Sequence, residues 1–85
     1  MMKQQVDVLA AFDIGSDFPR PIRFKFLENG IKKAVDVFDI TNTKRLGAGG
    51  MVRIEYSCRS AGRNGAIEYR LVYYYQKGYW EIEMD

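Results

Sequence analysis

Histidine is absent from this 85-residue chain, and cysteine occurs once, as Cys58. Without histidine the chain lacks the usual general base near neutral pH, the usual partner of a serine or cysteine nucleophile, and the commonest zinc ligand. That points away from an enzyme and from a metal or other cofactor. One cysteine forbids an intramolecular disulfide, the staple on which small secreted domains rely. The opening Met1 to Gln5 has no apolar core of a leader, and no apolar run approaches membrane-spanning length. The chain therefore reads as cytoplasmic, bacterial or archaeal in style, with no membrane partner. A net charge of +2 is too small to announce a polyanion partner by itself. Proline is scarce, and helical spacing of apolar residues is scarcer still.

What the chain does have is aromatic residues and alternation. Six Tyr, five Phe and one Trp give a short chain large side chains to bury. Hydrophobic residues at 47% and charged residues at 28% are ordinary for one globular domain spanning residues 1–85. Val6, Val8, Ala10 and Phe12 alternate, and so do Ile22, Phe24 and Phe26. Period two marks strands with one buried face. Asn29-Gly30 is a two-residue hairpin signal, because both residue types tolerate positive φ. Closing it sets Phe24 against Val35, Ile22 against Val37 and Arg23 against Asp36. Phe38 and Ile40 break the parity, which predicts a bulge or corner near Asp39. The segment Thr41 to Gly50 reads as a loop. Val52, Ile54, Tyr56 and Cys58 predict the next strand. Ile67, Tyr69, Leu71, Tyr73 and Tyr75 predict another beyond a loop at Ala61 to Gly65.

Pairing Ser60 with Gly65 sets Tyr56 against Tyr69 and Ile54 against Leu71. A turn at Lys77-Gly78 sets Tyr75 against Trp80, Tyr73 against Ile82, Leu71 against Met84 and Arg70 against Asp85. The inner and outer sets agree across three hairpins, as a foldable sequence requires. The expected fold is all-β: an antiparallel meander of about six strands curled into a small, strongly bent barrel or half-barrel. Curling, or dimerising, is how such a sheet covers one apolar face without helices.

Several groups deserve weighing as sites. Leu46 to Gly50 is glycine-rich but precedes a strand, not the helix a phosphate-binding loop needs. Cys58 alternates with core residues and reads as a small buried hydrophobe. Arg20, Arg23, Lys25 and Lys32 fall on one hairpin and would form a basic patch, diluted by Glu28 and Asp36. Lys44 and Arg45 add a second basic point, and Tyr74 faces outward where an aromatic can stack on a base or anchor a partner. The plain alternative is a solvated, mixed-charge face with aromatics covering their cross-strand neighbours. The carboxylates offer no enclosed pair suited to acid–base work.

Two segments resemble a family of small bacterial all-β domains of unknown function. One is Val6-Asp7-Val8 with Phe18-Pro19-Arg20-Pro21-Ile22-Arg23-Phe24, Asn29-Gly30 and Val35. The other is Tyr73-Tyr74-Tyr75-Gln76-Lys77-Gly78-Tyr79-Trp80-Glu81-Ile82, similar to that family's closing hairpin. The family carries a Trp-Arg after its third strand, where this chain has Thr41-Asn42-Thr43-Lys44-Arg45. The resemblance implies an all-β domain and carries over no catalytic residue.

Two functions follow as expectations. The first is a non-enzymatic protein-interaction module on a small barrel, presenting loops or an edge strand to a protein partner. The second is a nucleic-acid-binding module using Arg20, Arg23, Lys25, Lys32, Lys44, Arg45 and Tyr74. An aromatic-rich sheet on so short a chain also predicts a homodimer.

Overall fold

The computed structural model describes residues 2–84, with side chains from Lys3 to Met84. The strands are β1 (Met2–Ala11), β2 (Arg20–Glu28), β3 (Ile31–Asp36), β4 (Asp39–Leu46), β5 (Arg53–Gly62), β6 (Gly65–Tyr74) and β7 (Tyr79–Met84). The described residues form no helix, and so none long and apolar enough to cross a membrane. All neighbours are antiparallel in one sheet, ordered β3-β2-β1-β7-β6-β5-β4 and strongly curled into a half-barrel.

Turn chemistry sets the local registers. Asn29 and Gly30 both have positive φ, 52° and 78°. Their twist matches that of the flanking strands, and the β2–β3 hairpin closes with Phe24 opposite Val35 and Arg23 opposite Asp36. Gly62 and Gly65 flank the two-residue turn of β5–β6. The β6–β7 connection is longer: Tyr74 lies opposite Tyr79, and the Gly78 amide donates to the Tyr74 carbonyl at 2.8 Å.

Two corners convert this meander into a half-barrel. The edge strands β3 and β4 are consecutive in the chain, separated by Val37 and Phe38 alone. The Val37 amide donates to Ile22 O at 2.8 Å and the Phe38 amide to Arg59 O at 2.9 Å. The backbone thus leaves β2 and takes up β5 within one residue, as a strand does when it switches sheets at a bend. On the other side β1 divides its pairing. Residues 2–6 run along β7 and residues 7–11 along β2. Where β1 has parted from β2, the Gln4 side-chain amide replaces the ladder, accepting from the Leu27 amide at 2.8 Å and donating to its carbonyl at 3.3 Å.

The core lies between the two halves. Ile54, Leu71 and Ile82, on β5, β6 and β7, are 0% exposed. Phe24 of β2 packs across on Tyr69 of β6, with ring centroids 5.2 Å apart. Buried hydroxyls tie the corner down. Ser60 Oγ donates to Asp36 O at 2.7 Å, so its only proton is committed. The Tyr69 hydroxyl, 2.5 Å away, is therefore the donor to Ser60. Tyr56 OH donates to Pro19 O and draws the β1–β2 loop over the interior. Among the described residues no buried side-chain polar atom lacks a partner.

Four sequence expectations are corrected. Residues 41–46 are strand, not loop. Both β5–β6 and β6–β7 registers are displaced by two residues, so Tyr56 faces Leu71, Leu71 faces Ile82 and Tyr73 faces Trp80. Asp85 lies outside the described residues, and Arg70 faces Glu83. Ile22 points outward at 38% exposure, because the register of β1–β2 shifts between Leu9 and Ala10 and gives its inner place to Pro21. Phe12, Ile67 and Tyr75 are exposed; Phe12 and Tyr75 lie just past the ends of β1 and β6, and Ile67 near the hairpin end of β6.

Candidate functional site

Arg20, Arg23, Lys25 and Lys32 of the β2–β3 hairpin share the outer face of the smaller half, but carboxylates are interleaved with them. Arg20 holds Asp13 through two bonds, at 2.9 and 3.2 Å. That hydrogen bond keeps the Asp13 carboxyl below its ordinary pKa. Arg23 lies 3.5 Å from Asp36, and Lys32 lies 3.7 Å from Asp7. Lys25 has no carboxylate within 4 Å among the described residues.

Tyr74 sits elsewhere, on the outer face of β6. It stacks on Tyr79 at 4.8 Å and donates to Glu81 at 2.7 Å. That hydrogen bond, with burial and neighbouring negative charge, pushes the Tyr74 phenol up to about 12. The surrounding face is rich in carboxylates: Glu55 and Glu83 have side chains only 16% and 17% exposed, both bridged to Arg70. It runs into a polar cleft of about 390 Å³ among Thr41, Ser57, Arg59, Glu68, Arg70 and Glu83. Glutamates there stand among arginines, so the face carries mixed charge and no basic stripe for a phosphate backbone.

Lys44 and Arg45 lie on β4, away from the hairpin patch in the pairing order. Lys44 shares the outer face with its cross-strand neighbour Glu55, and Arg45 shares the inner face with Ile54. Neither has a carboxylate within 4 Å among the described residues. The seven candidate residues thus fall in three places: hairpin face, β6 face and β4.

Sequence reasoning missed the strand that carries Lys44 and Arg45. β4 pairs with β5 on one side and, among the described residues, with no strand on the other, so it offers a row of backbone donors and acceptors along one edge. Its residues Thr41 to Arg45 are all exposed. Beneath it β5 is the most deeply set strand: Ile54, Tyr56, Cys58 and Ser60 are all buried, as is Val52 just before it. Cys58 is a core residue, its thiol pushed up to about 12 by burial. Near the Asp39 end of β4, Phe38 is 82% exposed and borders a cleft of about 350 Å³ with Ser60, Ala61, Gly62, Gly65 and Ala66. At the other end Arg45 shares a cleft with Asp17, Phe18, Val52, Tyr75 and Gln76. Gln76 fixes that end, accepting from the Val52 amide at 3.0 Å.

Among the described residues no three histidine, cysteine or carboxylate side chains gather as a metal site. No family model, no curated protein and no solved structure matches the chain.

Proposed function

We propose that this protein is a non-enzymatic protein-interaction module, and that its β4 edge receives an extended segment of a partner protein. The observation that carries this reading is the one-sided pairing of β4, an eight-residue strand backed by the buried β5. Adding a strand to such an edge gives affinity through main-chain hydrogen bonds, while flanking pockets give specificity. The apolar cleft beside Phe38 is suited to one anchoring side chain. A template already ordered by its own core loses little entropy on binding.

Nucleic-acid binding is the second reading, favoured by the cations of Lys25, Lys44 and Arg45 that have no close carboxylate. Against it stand the ion pairs of Arg20, Arg23 and Lys32 and the glutamates around Tyr74.

One experiment separates them. The protein is screened against displayed random peptides, and the enriched peptide and a single-stranded RNA are titrated separately while backbone amide shifts are followed. The interaction reading expects peptide-induced shifts concentrated in residues 38–46 and little change with RNA. RNA binding that collapses as salt rises, with no enriched peptide, would transfer the function to the second reading.

A further inference from the structure

We infer that the segment β4 receives is acidic, with two adjacent carboxylates that lie opposite Lys44 and Arg45. This rests on the edge-binding reading above. Adjacent residues of a strand point to opposite faces. Lys44 and Arg45 therefore present one cation on each side of the same stretch of open edge, outer and inner, as their partners Glu55 and Ile54 show. A docked strand meets both only by placing carboxylates at two consecutive positions. Alternating acids would reach one cation and leave the other facing an apolar or polar side chain.

The two open edges differ in the way this inference needs. β3 also carries two lysines, but Lys32 is engaged with Asp7 and Lys33 with Glu28 at 2.9 Å. β3 has six residues against the eight of β4. On β4 the one acid, Asp39, is engaged with Arg59 at 3.2 Å. The charges left over along β4 are both positive.

The same residues argue against a second copy as the occupant. A two-fold antiparallel pairing centred on the regular stretch 42–46 would set Lys44 of one copy opposite Lys44 of the other, and like charges opposite one another destabilise a sheet. The irregularity between Ile40 and Asn42 also interrupts the alternation. Beyond it, inner residues of one copy would face outer residues of the other, which a ladder does not accommodate.

The test compares three extended peptides, rich in valine and threonine and identical except for a central pair: two glutamates, two glutamines or two lysines. Binding is followed by amide shifts of the whole chain. The glutamate peptide should bind roughly five-fold more tightly than the glutamine peptide, the size expected of two exposed ion pairs, and the lysine peptide should bind most weakly. The advantage should fade in high salt. It should vanish in K44Q/R45Q and reverse towards the lysine peptide in K44E/R45E. Both substitutions fall on exposed side chains, and circular dichroism checks that the variants fold.

Equal binding of all three peptides at residues 39–46 would overturn the acidic preference and leave the edge reading standing. Absence of any shift there would overturn both. A dimer in light scattering that K44E/R45E disrupts would overturn the inference in favour of a second copy.

Discussion

The two halves of this molecule are built to different standards of burial. The β5–β6–β7 wall buries Ile54, Leu71 and Ile82 completely and seals even Val72, which lies between Glu55 and Glu81 on the outer face, at 1% exposure. The β2–β3 hairpin contributes Phe24 and Pro21 to the interior but leaves Ile22, Leu27 and Ile31 in contact with water. Stability therefore resides in the wall, and the hairpin closes over it. β4 belongs to neither extreme. It is hydrogen-bonded to the best-buried strand and yet contributes little of its own side-chain surface to the core.

This contrast can be broken most severely in the wall. Leu71→Ala and Ile82→Ala should each destabilise the protein by about 2–5 kcal/mol, the cost of a cavity in a close-packed interior, measured by denaturant unfolding. Alkali should act next, on the order of 2 kcal/mol. Burial pushes the Tyr69 phenol from its ordinary 10.0 up to about 12. The folded state holds that proton more tightly than the unfolded chain, so the contribution is whole below pH 10 and is lost as pH rises towards 12. Tyrosinate absorbance followed alongside circular dichroism should show late-titrating tyrosines ionising as the structure melts.

Smaller effects sharpen the comparison at the seams. Tyr69→Phe removes the donor to Ser60 and should cost about 1–2 kcal/mol. Gln4→Ala leaves both backbone groups of Leu27 without their side-chain partner, but in an exposed place, and should cost about 0.5–1 kcal/mol. Leu27→Ala, on the outer face of the hairpin, should change stability by less than about 0.5 kcal/mol. A large loss at Leu27 would mean that the hairpin carries weight the burial pattern denies it.

How much of this was legible in the sequence differs along the chain for physical reasons. Asn29-Gly30 dictated its turn, and the β2–β3 register followed as far as Arg23 opposite Asp36, beyond which Ile22 turns outward. In β5–β6–β7 the alternation revealed which side chains face inward but not their partners. A displacement of two residues keeps every side chain on its own face, so both alignments satisfy the same pattern. Only the turns distinguish them. The four-residue turn ending at Gly78 replaced the shorter one suggested by Lys77-Gly78 alone. β4 was not legible because both its faces meet water, so Thr41 to Arg45 show no alternation to read. The same exposure that hid the strand makes it the candidate site. Of the seven residues singled out by charge and aromaticity, Lys44 and Arg45 lie on that strand. Asp13 of the β1–β2 loop, Asp36 of β3 and Asp7 of β1 engage Arg20, Arg23 and Lys32 in turn, and a wall glutamate engages Tyr74.

Native-state amide exchange over residues 39–46 addresses the central claim directly. If β4 is an ordered strand with one free edge, amides directed at β5 should exchange slowly and those directed outward quickly, in alternation interrupted only at the irregularity beside Thr41. Uniformly fast exchange across the whole segment would show that β4 is no ready template, and the account of its function would fall.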